Sequence, residues 1–161
     1  MLSNQPSLSF DSMDDLSEAS IAYSSDSEDE EQELSEVFKE ISLNLKNLDP
    51  SKIKFLRRVI CPSKRAKRVV QALWGLINMT VEKSLTKSWR VVSKALSKDA
   101  IDHLLEMEPS KADPKLIKKI CDEFLDDPAW DLNKIYHGSY AAGVLAEWLS
   151  AFCLMARAKK V

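Results

Sequence analysis

Glycine is scarce in this chain. Only Gly75, Gly138 and Gly143 occur among 161 residues. So few argue against a sandwich or barrel with many tight turns, and neither G-x-x-x-x-G-K-[ST] nor G-x-G-x-x-G is present to cradle a phosphate. Cysteine is also sparse. Cys61, Cys121 and Cys153 are odd in number and far apart, which argues against a disulfide framework and for reduced thiols. His103 and His137 are the only histidines, and no pair of ligands has zinc-site spacing. No metal or cofactor is expected. Two histidines and scattered serines assemble no nucleophile–base–orienter set, so a non-catalytic protein is expected. The start of the chain lacks the basic and apolar regions of a signal peptide. No apolar run approaches the roughly 20 residues that span a bilayer. The expectation is a soluble, cytoplasmic protein with no membrane partner.

Charge is present but unevenly divided. Residues 1–33 carry ten acidic residues and no Lys or Arg, leaving 23 basic against 15 acidic residues over 34–161, a net of +8. A positive body favours an acidic partner. The tail, rich in Ser, Asp and Glu, has too little apolar surface to offset the entropy of ordering, and disorder is expected for it. Ser25 and Ser27 precede acids and are candidate phosphorylation sites. The tail could instead be a solubilising segment with no regulatory role, or lie over the basic body and damp its binding.

From residue 34 the apolar spacing is helical. Leu34, Val37, Phe38, Ile41, Leu45 and Leu48 recur at three- and four-residue intervals. Asp49-Pro50 then reads as an N-cap and first turn, and Ile53, Phe55, Leu56, Val59 and Ile60 resume the run. Pro62-Ser63 opens a helix reaching Ile77. Shorter helices are expected around Trp89–Leu96 and Ile101–Met107. Asp113-Pro114 starts another through Phe124, ended by Asp127-Pro128. One or two turns follow over Asp131–Tyr136, and an apolar element runs from about Ser139 to Val161. No segment alternates as a strand does. The fold class is therefore all-α, a compact bundle of about six helices over 34–161. Trp74, Trp89, Trp130 and Trp148 are expected in the core.

The order of these signals is informative. Asp49-Pro50-Ser51-Lys52-Ile53-Lys54 precedes Pro62. Trp89 follows, then Lys98-Asp99-Ala100-Ile101 and Pro114-Lys115-Leu116-Ile117-Lys118-Lys119-Ile120. Asp127-Pro128-Ala129-Trp130, Ile135 and Ser139-Tyr140-Ala141-Ala142-Gly143 through Trp148 complete the series. Over roughly 40–161 the series resembles the microtubule-binding tip of the dynein heavy-chain stalk. That family has a proline-opened helix, a tryptophan helix, a P-x-x-[IV]-x-K-[IV] helix, an N-P-x-[FY] turn and S-x-A-x-x-x-x-x-W entering the returning stalk helix.

The resemblance implies that the helix before Pro62 and the terminal helix run antiparallel as a short coiled-coil stub. It implies tubulin contact through Ser63–Ile77, about Ala100–Met107, and His137–Ala142. Candidate partner-binding residues are Lys64, Arg65, Lys67, Arg68, His137 and Tyr140. Expected partners are tubulin, the microtubule or another acidic protein surface, with dynein or axonemal proteins beside them. The implied setting is the cytoskeleton, including the axoneme of a cilium. The chain departs from the family pattern in several places. Pro62-Ser63 stands for the proline pair, His137 for a basic residue and Met155 for a tyrosine. Asp102, Glu106 and Glu108 stand where the family tends to be basic. On an acidic tubulin surface these changes weaken docking. A rival expectation is therefore a degenerate stalk-tip fold, acting as a scaffold through its stub without binding tubulin. Nucleic acid is a lesser candidate for the same cations. Counterion release would drive it, but no nucleic-acid motif or basic–aromatic interleaving accompanies them.

Overall fold

Proline and short polar side chains set the helix starts. A computed structural model describes residues 30–158, all helices, turns and loops with no strand among them. The chain divides into a unit of residues 1–36 and a unit of residues 37–161. Of the first, only residues 30–36 are described, and they are helical. The expected tail disorder, Ser25 and Ser27 lie outside the described residues.

Helix α1 covers 30–46, and the packing described here begins at Val37. Asp49 then caps α2 (Pro50–Arg58), its carboxylate accepting from Ser51 N–H at 2.9 Å with Pro50 in the first turn. That bond holds the Asp49 carboxyl below its usual pKa. Ser63 caps α3 (Lys64–Asn78) through Ala66 N–H at 3.1 Å. Helix α3 ends at Met79 in the left-handed region (φ 57°), where Thr80 N–H closes on the Gly75 carbonyl at 2.9 Å.

Then come α4 (Val81–Thr86), α5 (Trp89–Val92) leading into a tight turn Ser93–Leu96, and α6 (Lys98–Glu106). Asp113 caps α7 (Pro114–Ile120), which runs into one widened turn, Cys121–Leu125. Asp131 caps α8 (Leu132–Gly138), and α9 (Tyr140–Ala158) completes the described chain. The described residues thus hold nine α-helices where the apolar spacing suggests about six. Helix α4, opened by Thr80, is too short for a period to register, whereas the helices expected around Trp89–Leu96 and Ile101–Met107 are present as α5 with its tight turn and as α6. The turns expected after Asp131 are a helix of 7 residues.

Helix α9 organises the core. Ala141 through Ala146, Trp148, Leu149, Phe152, Cys153, Met155 and Ala156 are all buried. An apolar helix polar at only a few positions belongs inside a bundle. Each large side chain among them contributes about 1.5–3 kcal/mol by leaving water. At 19 residues and mean hydropathy 1.3, α9 is long and apolar enough to cross a membrane, contrary to the reading that no segment reaches that length. Glu147 and Arg157 are its only charges, and 67% of its apolar window is covered by neighbouring helices.

The antiparallel neighbour of α9 is α1, not the helix before Pro62. Phe38 packs on Trp148 and Phe152 with ring centroids 6.0 and 6.2 Å away, and Trp148 Nε1–H donates to Ser42 Oγ at 3.1 Å. As α1 advances, α9 recedes. Asp49-Pro50 separates α1 from α2, and α2 meets the first turn of α9, with Lys52 Nζ 4.7 Å from the Tyr140 ring. Trp148 is fully buried, while Trp74, Trp89 and Trp130 are partly covered. Trp89 Nε1–H donates to the Val59 carbonyl at 2.8 Å, and Trp130 Nε1–H to Ser150 Oγ at 3.1 Å. Each indole thus ties a short segment to a longer helix.

Candidate docking face

The start of α3 and the α8–α9 corner are brought together. Helix α3 buries Ala66, Val69, Val70, Leu73 and Leu76, which turns Lys64 and Arg65 out to solvent. At the other corner Ser139 joins α8 to α9 without a loop. Its hydroxyl accepts from Ala142 N–H at 3.2 Å and so caps α9. Helix α8 folds back on α9. The Tyr136 hydroxyl donates to Glu147 Oε1, and its ring lies flat against the backbone at Gly143. Burial, and then the Glu147 carboxylate, push the Tyr136 phenol well above its usual pKa.

Between these corners lies an open groove of about 590 Å³. Leu56, Val59, Ala66 and Ala141 form its floor, and Lys52, Phe55, Ser63 and Tyr140 stand at its rim. Phe55 is 75% exposed and Tyr140 55%, and Ile60 in the adjoining linker is 90% exposed. Tyr136 supports Tyr140 from behind, with ring centroids 5.6 Å apart. Three large apolar side chains left in water at or beside one cleft, with Lys52 at its rim, make a surface suited to protein contact.

The six candidate residues do not act as one set. Lys64 and Arg65 are exposed, and neither pairs with a described carboxylate. Lys67 is half-buried and likewise free of ion pairs among the described residues. Arg68 departs from the outward orientation expected for it. Its guanidinium donates to the Glu123 carbonyl at 2.7 Å and to Glu123 Oε2 at 3.1 Å, lies 3.8 Å from Asp127 Oδ2, and stacks 4.5 Å above the Phe124 ring. The reason is geometric: one turn beyond Lys64, the α3 surface already faces the widened turn after α7. Arg68 is a tie between elements. Tyr140 lines the groove, while His137 is exposed on α8 outside its lining.

The middle segment does not join this groove. Helix α6 lines a separate, more apolar groove of about 500 Å³ with Leu45, Leu48 and Ile53, on the opposite flank of α2. Its exposed residues Asp99, Asp102 and Glu106 outnumber Lys98 in charge. Two side chains at the main groove escape a reading from periodicity. In the sequence Lys52 belongs to the Asp49–Lys54 signal, and Phe55 falls within the apolar run. A strict helical register gives the signal, because Ile53 and Leu56 form the covered stripe and Phe55 falls outside it.

No known family model matches the chain, and no curated protein sequence matches it significantly. Among the described residues no cluster of three or more His, Cys, Asp or Glu could hold a metal.

Proposed function

We propose that the chain is a non-catalytic docking module that receives an acidic protein surface at the α3 and α8–α9 corners. The microtubule is the candidate partner, at the cytoskeleton or the axoneme. The observation that carries the reading is the convergence of Pro62, Ser63 and Ala66 with Ser139, Tyr140 and Ala141 on one groove. All of these but Pro62 belong to two of the three segments that the stalk-tip resemblance assigns to tubulin. Lys64 and Arg65 line a second cleft with Arg68, Phe124 and Asp127 and form no ion pair among the described residues, and their first-turn position opposes the helix dipole by a few tenths of a kcal/mol each. A cost without a structural return fits a partner supplied from outside.

The test is co-sedimentation of the full chain with microtubules over a salt series. Binding that weakens steeply with salt, and that is lost in Lys64→Glu with Arg65→Glu, supports the reading. Unchanged pelleting of that double variant rejects the mapped face. The scaffold alternative draws on the exposed acids of α6. Its expected contact, an open stub seam, is reduced on the described part of α9 to Tyr140 at one end and Leu154 towards the other, because the large apolar residues between them are covered. A stable self-associated species by sizing, with no microtubule pelleting, selects that alternative.

A further inference from the structure

A second cationic site lies on a different part of the surface from the docking groove. The last turns of α2 face α5 and the tight turn after it across an open cleft of about 430 Å³. Lys54, Arg57, Arg58, Arg90, Ser93 and Lys94 line it. All five cations are exposed, and none forms an ion pair with another described residue. No acidic side chain and no large apolar side chain lines the cleft.

The arrangement is fixed by packing rather than by chance extension of long side chains. Trp89 Nε1–H on the Val59 carbonyl holds α5 against the end of α2. Lys54, Arg57 and Arg58 share one helical face at i, i+3 and i+4, and Arg90 and Lys94 share another at i, i+4. Like charges at these spacings repel, and the two faces then confront each other. The α2 dipole favours Arg57 and Arg58 in its last turn. It gives no reason for Arg90 and Lys94 to converge on them. The Ser93 hydroxyl, which also lines the cleft, donates to the Arg90 carbonyl at 3.2 Å.

We propose that this cleft binds a compact group bearing several phosphates, either a soluble polyphosphate ester or a phosphorylated lipid headgroup. Three arginines supply planar forks that match phosphate oxygens bidentately, and two lysines add point charge. The absence of a large apolar wall disfavours a peptide, which needs an anchor pocket for affinity. The absence of a stacking surface disfavours a nucleobase.

Isothermal titration of the full chain with inositol hexakisphosphate tests the site. Saturable binding is expected, weakened on the order of tenfold or more by Arg57→Gln with Arg90→Gln. Lys64→Gln with Arg65→Gln, at the other face, should leave it unchanged. Circular dichroism melts of both variants should match the parent, since all four side chains are exposed. Flotation with phosphatidylcholine vesicles carrying a minor fraction of phosphatidylinositol bisphosphate separates the sources. Vesicle binding in addition to the soluble ester assigns a headgroup, and binding of the soluble ester alone assigns a free ligand. No binding to either probe overturns the proposal. So does equal weakening by the two variants, or equal affinity for a glutamate-rich peptide. The microtubule test reads the other face, so each reading can fail without the other.

Discussion

Replacing Gly143 by alanine sets two opposing effects against each other, and the geometry decides between them. Within a helix, Gly→Ala ordinarily stabilises by about 1 kcal/mol. Here an added Cβ would stand 2.7 Å from Tyr136 Cε1 and closer still to Cδ1 and Cγ. These atoms are the body of the ring, so the whole side chain must move. Moving it breaks the bond from the Tyr136 hydroxyl to the Glu147 carboxylate, worth roughly 1.5–3 kcal/mol as a bond to a charged group. Overpacking of this kind costs about 1–3 kcal/mol by itself. The clash outweighs the propensity gain, and Gly143→Ala should destabilise by roughly 1.5–5 kcal/mol. Urea unfolding measures it as a lower midpoint at unchanged slope. In a Tyr136→Ala background the obstacle is gone, and the same substitution should stabilise by about 0.5–1 kcal/mol. A stabilising Gly143→Ala in the parent, or the same cost in both backgrounds, would refute the packing of α8 on α9.

Other substitutions separate tie residues from free ones. Arg68→Ala should lower stability by about 1–2 kcal/mol through loss of the Glu123 and Phe124 contacts, whereas Lys64→Ala should stay within about 0.5 kcal/mol, as thermal melts would show. Tyr136 favours the neutral phenol in the fold, so its contribution is complete below the unfolded value of 10.0 and declines as pH rises beyond it. The fall in melting temperature above about pH 10 should therefore be shallower in Tyr136→Phe. Cys61 is exposed while Cys121 and Cys153 are buried. The Cys153 thiol and then Arg157 draw the Cys121 thiol down to about 7, and its bond to Cys121 together with burial pushes Cys153 up. Burial should still govern access, so a disulfide reagent at neutral pH should modify Cys61 quickly and the other two only on unfolding.

Local chemistry made much of the fold legible. Asp49-Pro50, Ser63 and Asp113-Pro114 each start a helix where a short side chain accepts from the backbone, and the apolar run after Ser139 is the core helix. In the middle of the chain α4 escapes such a reading, since its 6 residues are fewer than a period needs, while the spacing over Trp89–Leu96 matches α5 and the turn after it. The pairing of α1 with α9 rests on Phe38, Ser42 and Trp148, which no local pattern joins across about a hundred residues. Arg68 was misjudged for the same reason: its partner Glu123 lies 55 positions away. The five-cation cleft is not legible in the sequence, because α2 and α5 meet only in the folded chain.

The docking groove is tested most directly by the microtubule affinity of Phe55→Ser, measured by co-sedimentation of the full chain at low salt. Phe55 is 75% exposed, so the fold should tolerate the change, and a circular dichroism melt would confirm that. The account predicts saturable binding by the parent and a loss on the order of tenfold or more in the variant, as expected of an aromatic anchor. A parent that fails to pellet, or a variant that pellets equally well, would contradict it.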